Sequence, residues 1–453
     1  MEIRGAPEGT ADSTTIDRNA AVRAYTDNRR RSQALFELLD DDTYYERPIP
    51  LRHPVAFYEG HIPAFSVISF LRRALNHPGI DPTLETLFAR GIDPSDQSAA
   101  AKSAIDDWPT RAAVRAFADQ ADDTILNALA HAPIEGKAPP ARYRAQGAFT
   151  ALEHEVMHQE TLLYMWHRFE PSRKTRPDHG DLQLSSGNSR RPAVAVDAGT
   201  VTLGAGVTDI AFGWDNEFPQ HRVDVPAFEI DVHDVTNADF LAFVEAGGYT
   251  RAELWSPQGW RRRCASGRTH PLFWERDGDE WQWRGMFDRV ALPGVSPVYV
   301  THDEATAYAR WRGSRLPTEA EFHRAAYTTP DGRERLQPWG DDEPTETRGN
   351  FDFAHWDPVP VGSYPAGVSA WGVHDLVGNG WEWTSTVFDG FSGFQPMASY
   401  PEYSQDFFDG DHFVVKGASP ATGRSLIRRS FRNWFRPDYP YMYATFRCVR
   451  DAR

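Results

Sequence analysis

His154 and His158 stand four residues apart in the stretch 142–169 (RYRAQGAFTALEHEVMHQETLLYMWHRF), and on a helix that spacing puts two imidazoles side by side on one face. Two such nitrogens are most of a metal site. Imidazole serves iron, zinc, copper and nickel alike, so the pair by itself names no metal. With 16 histidines in 453 residues, chance alone supplies about half an i,i+4 pair. What gives this pair weight is its setting, a long uninterrupted amphipathic segment in which Leu152, Val156, Leu162, Leu163 and Met165 provide a core to face. At this level two readings stand, a metal site or two satisfied or surface histidines.

The elements that must carry the pair are legible in outline. Apolar positions at helical spacing predict helices over 17–41, 63–77, 109–131 and 142–169, divided by Pro, Gly and Asp, which suggests a four-helix bundle over residues 1–170. Residues 171–193 are polar and rich in Pro, Gly, Ser and charge, the composition of a linker. From 194 to 453 the texture changes to short apolar runs with frequent Gly, Pro, Trp and Asp, and only 237–246, 303–311 and 318–327 look helical. The fold class expected is therefore α+β in two domains, without an internal repeat.

Composition narrows the function classes. A chain of 453 residues exceeds what one hydrophobic core usually supports. A net charge of −16 with no basic run opposes nucleic acid as a partner. The N-terminal twenty residues have no apolar core and no 18-residue apolar stretch occurs, so no membrane association and a soluble, cytoplasmic protein are expected. Cys264 and Cys448 lack metal-ligand spacing and exclude a disulfide framework; each is expected as a buried free thiol. Aromatics at 13% with 15 Trp suit a turn-rich domain with large aromatic plates in its core or cleft.

The second half contains, in order, a Phe218–His221 turn, EIDVHDVTNADFLAFV at 229–244, RLPTEAEFHRAA at 315–326, PWG at 338–340, GNGWEWT at 378–384 and FRCVRD at 446–451. This series resembles the formylglycine-generating-enzyme-like domain, a variant of the C-type lectin fold, over about 200–453. In RLPTEAE, Thr318 reads as a helix cap with Glu319 and Glu321 near the positive end. Trp381, Glu382 and Trp383 read as core struts of that fold in preference to catalytic groups. Formylglycine-generating enzymes use paired active-site cysteines, and the corresponding region here offers only Cys448, so that activity is not expected.

In the first half, RPIPLRHPVAFYEGHIPAF at 47–65 and HEVMHQETLLYM at 154–165 resemble the DinB-like domain of the ergothioneine and ovothiol sulfoxide synthases. The resemblance implies a non-heme iron(II), Fe(2+), held by His61, His154 and His158. His53 competes as first ligand, but the FYEGH context of His61 matches the ovothiol-type branch better. A facial three-His set leaves room on the metal for dioxygen, a sulfur or selenium donor and an imidazole. In the family that imidazole belongs to hercynine, Nα-trimethylated histidine.

The segment 393–419 (GFQPMASYPEYSQDFFDGDHFVVKGAS) resembles the part of ergothioneine synthases that carries an active-site tyrosine and, three residues on, a substrate-binding one. These are Tyr400, a phenol able to deliver a proton beside the metal, and Tyr403. The alternative for Tyr400 is a loop tyrosine packing in a cleft. SFRNWFRPDYPYMYATFRCV at 430–449 supplies Trp434, matching a family tryptophan near the trimethylammonium group, which an aromatic face attracts; a core role for Trp434 stands equally.

Three departures from the mycobacterial pattern concern the substrate side. Met157 replaces a Gln between the helical ligands, Phe435 replaces an Asp after the tryptophan, and the arginine pair that holds γ-glutamyl-cysteine has no clear counterpart beyond Arg90 in roughly the right region. Losing these groups removes charge-assisted bonds to a dipeptide. The donor implied is a thiol or selenol other than γ-glutamyl-cysteine, with the selenoneine branch and its seleno-sugar fitting well and cysteine as the other candidate. The chain ends at Arg453 without the methyltransferase domain of many ovothiol synthases, which leaves histidine methylation to a separate protein. Competing readings are an ovothiol-type 5-histidylcysteine sulfoxide synthase, a DinB-like zinc thiol transferase, and a non-catalytic carbohydrate-binding or scaffolding module.

Overall fold

A 26-residue helix, Ala141–Trp166, about 39 Å long, runs through the middle of the protein and is covered on nearly every side. In the computed structural model, which describes residues 16–89, 108–135, 141–178, 180 and 192–452, only Met157 and Arg168 in the run 151–169 are less than buried. This differs from the one-sided amphipathic helix that the sequence predicts. The reason is tertiary: helices of the first half cover one side, and the aromatic core of the second half covers the other. Leu162, Leu163 and Trp166 share one buried cluster with Trp381, Met442 and Tyr443.

The first half comprises α1 (Arg18–Phe36), α2 (Val55–Ser66), α3 (Pro82–Phe88), α4 (Arg111–His131) and α5 (Ala141–Trp166). Side-chain oxygens start three of them: Asp17 accepts from Ala20 N, Asp81 from Thr83 N and Leu84 N, and Thr110 from Ala113 N. The helix predicted over 63–77 begins eight residues earlier, at Val55, and passes through Pro63. Proline removes one helical donor and normally marks a helix start. Here all twelve residues of α2 are buried, so packing overrides the local preference, and α2 continues into a π-helical turn, Val67–Ala74, in which Leu75 N donates to Phe70 O.

Part of the segment predicted as a linker is held in place. Lys174 bridges Leu39 in antiparallel fashion, and Arg173 pairs with Asp42 at 3.0 Å and Glu46 at 2.8 Å. Residues 179 and 181–191 lie outside the described ones.

The second half holds α6 (Asn237–Glu245), α7 (Pro257–Ser266), α8 (His302–Trp311) and α9 (Glu319–Tyr327) among small sheets. One three-stranded sheet joins β1 (Ala193–Val196), β4 (Phe228–Asp231) and β12 (Val449–Asp451), and β2 (Gly199–Leu203) pairs with β3 (His221–Val225). β5 (Trp274–Asp277), β6 (Glu280–Arg284) and β7 (Arg289–Ala291) form a meander. The sheet nearest the long helix has the order β10 (Asn433–Phe435), β9 (Phe413–Ala418), β8 (Gly380–Val387), β11 (Ala444–Thr445), with β11 parallel to β8. α7 escaped the sequence reading because three consecutive arginines blur its apolar stripe. It presents Cys264 to solvent, which corrects the expectation of a buried thiol there; Cys448 is buried. No helix among the described residues is long and apolar enough to cross a membrane.

The expected cap of α9 is present as a reciprocal pair: Thr318 Oγ1 accepts from Glu321 N at 3.1 Å, and the Glu321 carboxylate accepts from Thr318 N at 2.8 Å. The GNGWEWT and FRCVRD motifs meet in the core. Arg447 donates to both Glu382 oxygens at 2.6 and 2.7 Å and to Asp234 at 3.1 Å, all fully buried. Arg447→Met leaves two buried carboxylates without their cation and is expected to cost about 3–5 kcal/mol. The check is the urea midpoint, which should fall with an unchanged slope.

Candidate active site

Three imidazoles converge where α2 crosses α5. His61 Nε2 lies 3.1 Å from His158 Nε2, and His158 Nε2 lies 3.1 Å from His154 Nε2. All three rings are buried, and one nitrogen from each falls within 4.8 Å of the others. Two nitrogens bound to one metal at about 2.1 Å and at right angles sit about 3.0 Å apart, which the two separations of 3.1 Å match. Burial favours the neutral ring: the pKa of His61 is lowered to about 4, and those of His154 and His158 fall well below the ordinary value, each mainly through desolvation. Neutral imidazole is the form that ligates a metal.

His61 is oriented by a hydrogen bond of 2.7 Å between Nδ1 and the carbonyl of Phe88, which leaves Nε2 free to ligate. That carbonyl reaches the ring because Gly60 has no side chain; a Cβ there would stand 2.3 Å from the Phe88 ring. His53 is buried but belongs to a different place. Its ring meets Phe57 at a tilt of 32° with centroids 4.2 Å apart, and the Phe57 ring in turn stacks on His61 at 4.9 Å, so Phe57 stands between the two histidines.

The three rings open on a cavity of about 710 Å³ that both halves line. Tyr400, half-buried, meets Phe65 edge-on at 5.0 Å and lies 6.3 Å from the His154 ring, centroid to centroid. Its pKa is pushed up to about 12, first by desolvation and then by Glu402, so the phenol keeps its proton at neutral pH. Its loop is tied to the first half: Thr150 and Ser399 hydroxyls hydrogen-bond at 2.8 Å, and Arg73 donates to the Ser399 carbonyl at 3.2 Å. Tyr403 is buried, stacks on Trp214 at 4.0 Å, and donates to Met157 Sδ at 3.5 Å. Trp434 stacks on Phe388 at 4.1 Å and 6°, which covers one of its faces. Phe435 stacks on Tyr439 at 5.5 Å in the cavity lining, beside Arg436 and Asp438 and with Arg52 over the Tyr439 ring at 5.3 Å. Arg90 lies outside the described residues, immediately after Ala89 of the cavity lining.

Several lining residues escaped the sequence reading. Glu160 is a buried carboxylate that accepts from Trp381 Nε1 at 2.7 Å, Ser419 at 2.7 Å and Thr422 at 2.8 Å. All three donors are neutral, and desolvation raises its pKa. Its one signal was a charge inside the apolar run QETLLYM. Trp381 lines the cavity through this bond, whereas Glu382 and Trp383 are the core struts expected, Trp383 donating to the carbonyl of Val300 at 2.9 Å. Arg52 donates to Tyr439 and Tyr164 hydroxyls at 3.1 and 3.0 Å.

Comparison with known proteins agrees with this two-part construction. Residues 24–162 match the DinB superfamily, and residues 180–452 match the sulfatase-modifying factor enzyme 1-like domain. A protein of Mycolicibacterium thermoresistibile described as hercynine oxygenase is 35% identical over 447 residues, which cover 95% of this chain and 94% of the relative. A hercynine oxygenase of Mycobacterium tuberculosis is 44% identical over 55% of this chain and 58% of its own length. Ergothioneine biosynthesis protein 1 of Neurospora crassa is 28% identical over 92% of this chain, which spans 56% of that longer protein.

Proposed function

The chain belongs to the ergothioneine sulfoxide synthase family, and on that premise we propose that it is an oxidoreductase that joins the imidazole carbon of hercynine to a thiol or selenol with dioxygen as oxidant. The observation that carries this reading is the convergence of three neutral imidazoles on one wall of a large cavity, with Tyr400 beside them. Iron(II) would be held by His61, His154 and His158 and would supply the activation of dioxygen there. In the sulfoxide-forming reaction, one imidazole C–H and one S–H are lost, a C–S bond forms, one oxygen atom goes to sulfur and the other leaves as water.

The protein's own groups bind and direct. Two features can hold a quaternary cation: the side of Trp434 turned away from Phe388, and the Glu160 carboxylate, whose hydrogen-bond donors bring no positive charge. The Tyr400 hydroxyl carries the proton at the site. Phe435, where the mycobacterial pattern has an Asp, and Tyr439 offer the donor an aromatic face in place of that carboxylate, which supports a seleno-sugar over γ-glutamyl-cysteine. Met157, in contact with Tyr403, is the feature that favours the ovothiol-type alternative with cysteine as donor.

The test is anaerobic loading with iron(II), then oxygen uptake and mass spectrometry with hercynine or histidine against γ-glutamyl-cysteine, cysteine and a seleno-sugar. Hercynine should be favoured over histidine by about 1–2 kcal/mol from its contact with an aromatic face. Equal use of histidine with cysteine selects the ovothiol-type reaction, and tight zinc binding without oxygen uptake selects a thiol transferase.

A further inference from the structure

Along α2, Phe57, His61 and Phe65 follow one another at four-residue spacing as a row of rings, and His53, just before the helix, packs against the first of them. A metal-bound imidazole ordinarily gives its second ring nitrogen to a hydrogen-bond acceptor, which fixes the plane of the ring. Among the described residues only His61 has that support. Nδ1 of His154 and Nδ1 of His158 are buried and find no hydrogen-bond partner among the described residues. The His154 ring instead lies face to face with Phe65, centroids 3.4 Å apart and planes within 10°. The same Phe65 ring meets Tyr400 edge-on at 5.0 Å and 70°. One side chain therefore touches both a proposed ligand and the proposed proton donor.

We infer that Phe65 is a positioning residue: its flat face sets the plane of His154 where a hydrogen bond is missing, and its edge sets Tyr400 relative to that plane. The inference rests on the proposed metal-binding role of the three histidines. A ring can do this because stacking restricts tilt, whereas an aliphatic side chain of similar volume fills the space without defining a plane.

The experiment compares the full-length protein with Phe65→Leu, Phe65→Met and Phe65→Tyr. Cobalt(II) titration reads affinity and the visible d–d bands, and the iron-loaded forms read the ratio of coupled product to oxidised donor. Leu and Met should weaken cobalt binding about tenfold, alter the d–d envelope and lower the ratio; Tyr should restore all three. Native affinity, bands and ratio in both aliphatic variants would overturn the inference and leave the function intact. A native protein that gives no nitrogen-ligated cobalt spectrum overturns the reading of the site itself. Should the aliphatic variants not fold, NMR of the zinc-loaded native protein decides, since a ring stacked at 3.4 Å shifts the His154 ring protons strongly upfield, and ordinary shifts remove the proposed contact.

Discussion

His61→Ala should abolish turnover and lower metal affinity by more than about a hundredfold, the upper end of the loss caused by removing only a supporting partner of a ligand. The structure gives the reason in three parts. Nε2 of His61 points at Nε2 of His158 from 3.1 Å, its other nitrogen is committed to the Phe88 carbonyl, and burial keeps the ring neutral. Two imidazoles one turn apart on a single helix do not make a facial set, and no carboxylate or thiol joins the three rings among the described residues. Metal content measured by mass spectrometry, alongside a thermal melt showing the fold retained, separates ligand loss from unfolding. His53→Ala is the matched control, because Phe57 stands between His53 and His61. Normal activity in His61→Ala with loss in His53→Ala would reverse the assignment.

Tyr400→Phe should keep metal and hercynine binding while coupled product falls about a hundredfold, the low end of what a positioned proton donor contributes. The substitution removes one hydroxyl and keeps the ring that packs on Phe65 and Tyr403. Without that proton the reaction should drift toward plain oxidation of the donor, so the decisive quantity is coupled product per oxidised donor per oxygen consumed. The sign of the pH dependence comes from the raised pKa of about 12: the phenol holds its proton from neutral pH to well above 9, so this ratio in the native protein should stay flat across that range. An unchanged ratio in Tyr400→Phe reduces Tyr400 to a packing residue and moves the role to Tyr403.

What the sequence by itself determined lies within single elements or within contiguous motifs. The pairing of His154 with His158 follows from helical periodicity, and the capping of α9 by Thr318 and Glu321 follows from their three-residue spacing. The order of motifs along the chain suggested the family, and the resemblance of the FYEGH stretch implied His61 as the third histidine with His53 as its competitor. What only the tertiary structure decided joins elements far apart in the chain. His61 and His158 are 97 residues apart and meet through helix packing that holds α2 together across Pro63, against the local rule. Phe57 divides His53 from the site, Phe65 stacks on His154, and Glu160 is roofed by Trp381, Ser419 and Thr422 from the other half. None of these has a local signature, because periodicity fixes which residues share a face of an element, whereas burial and convergence depend on what the rest of the chain lays against that face.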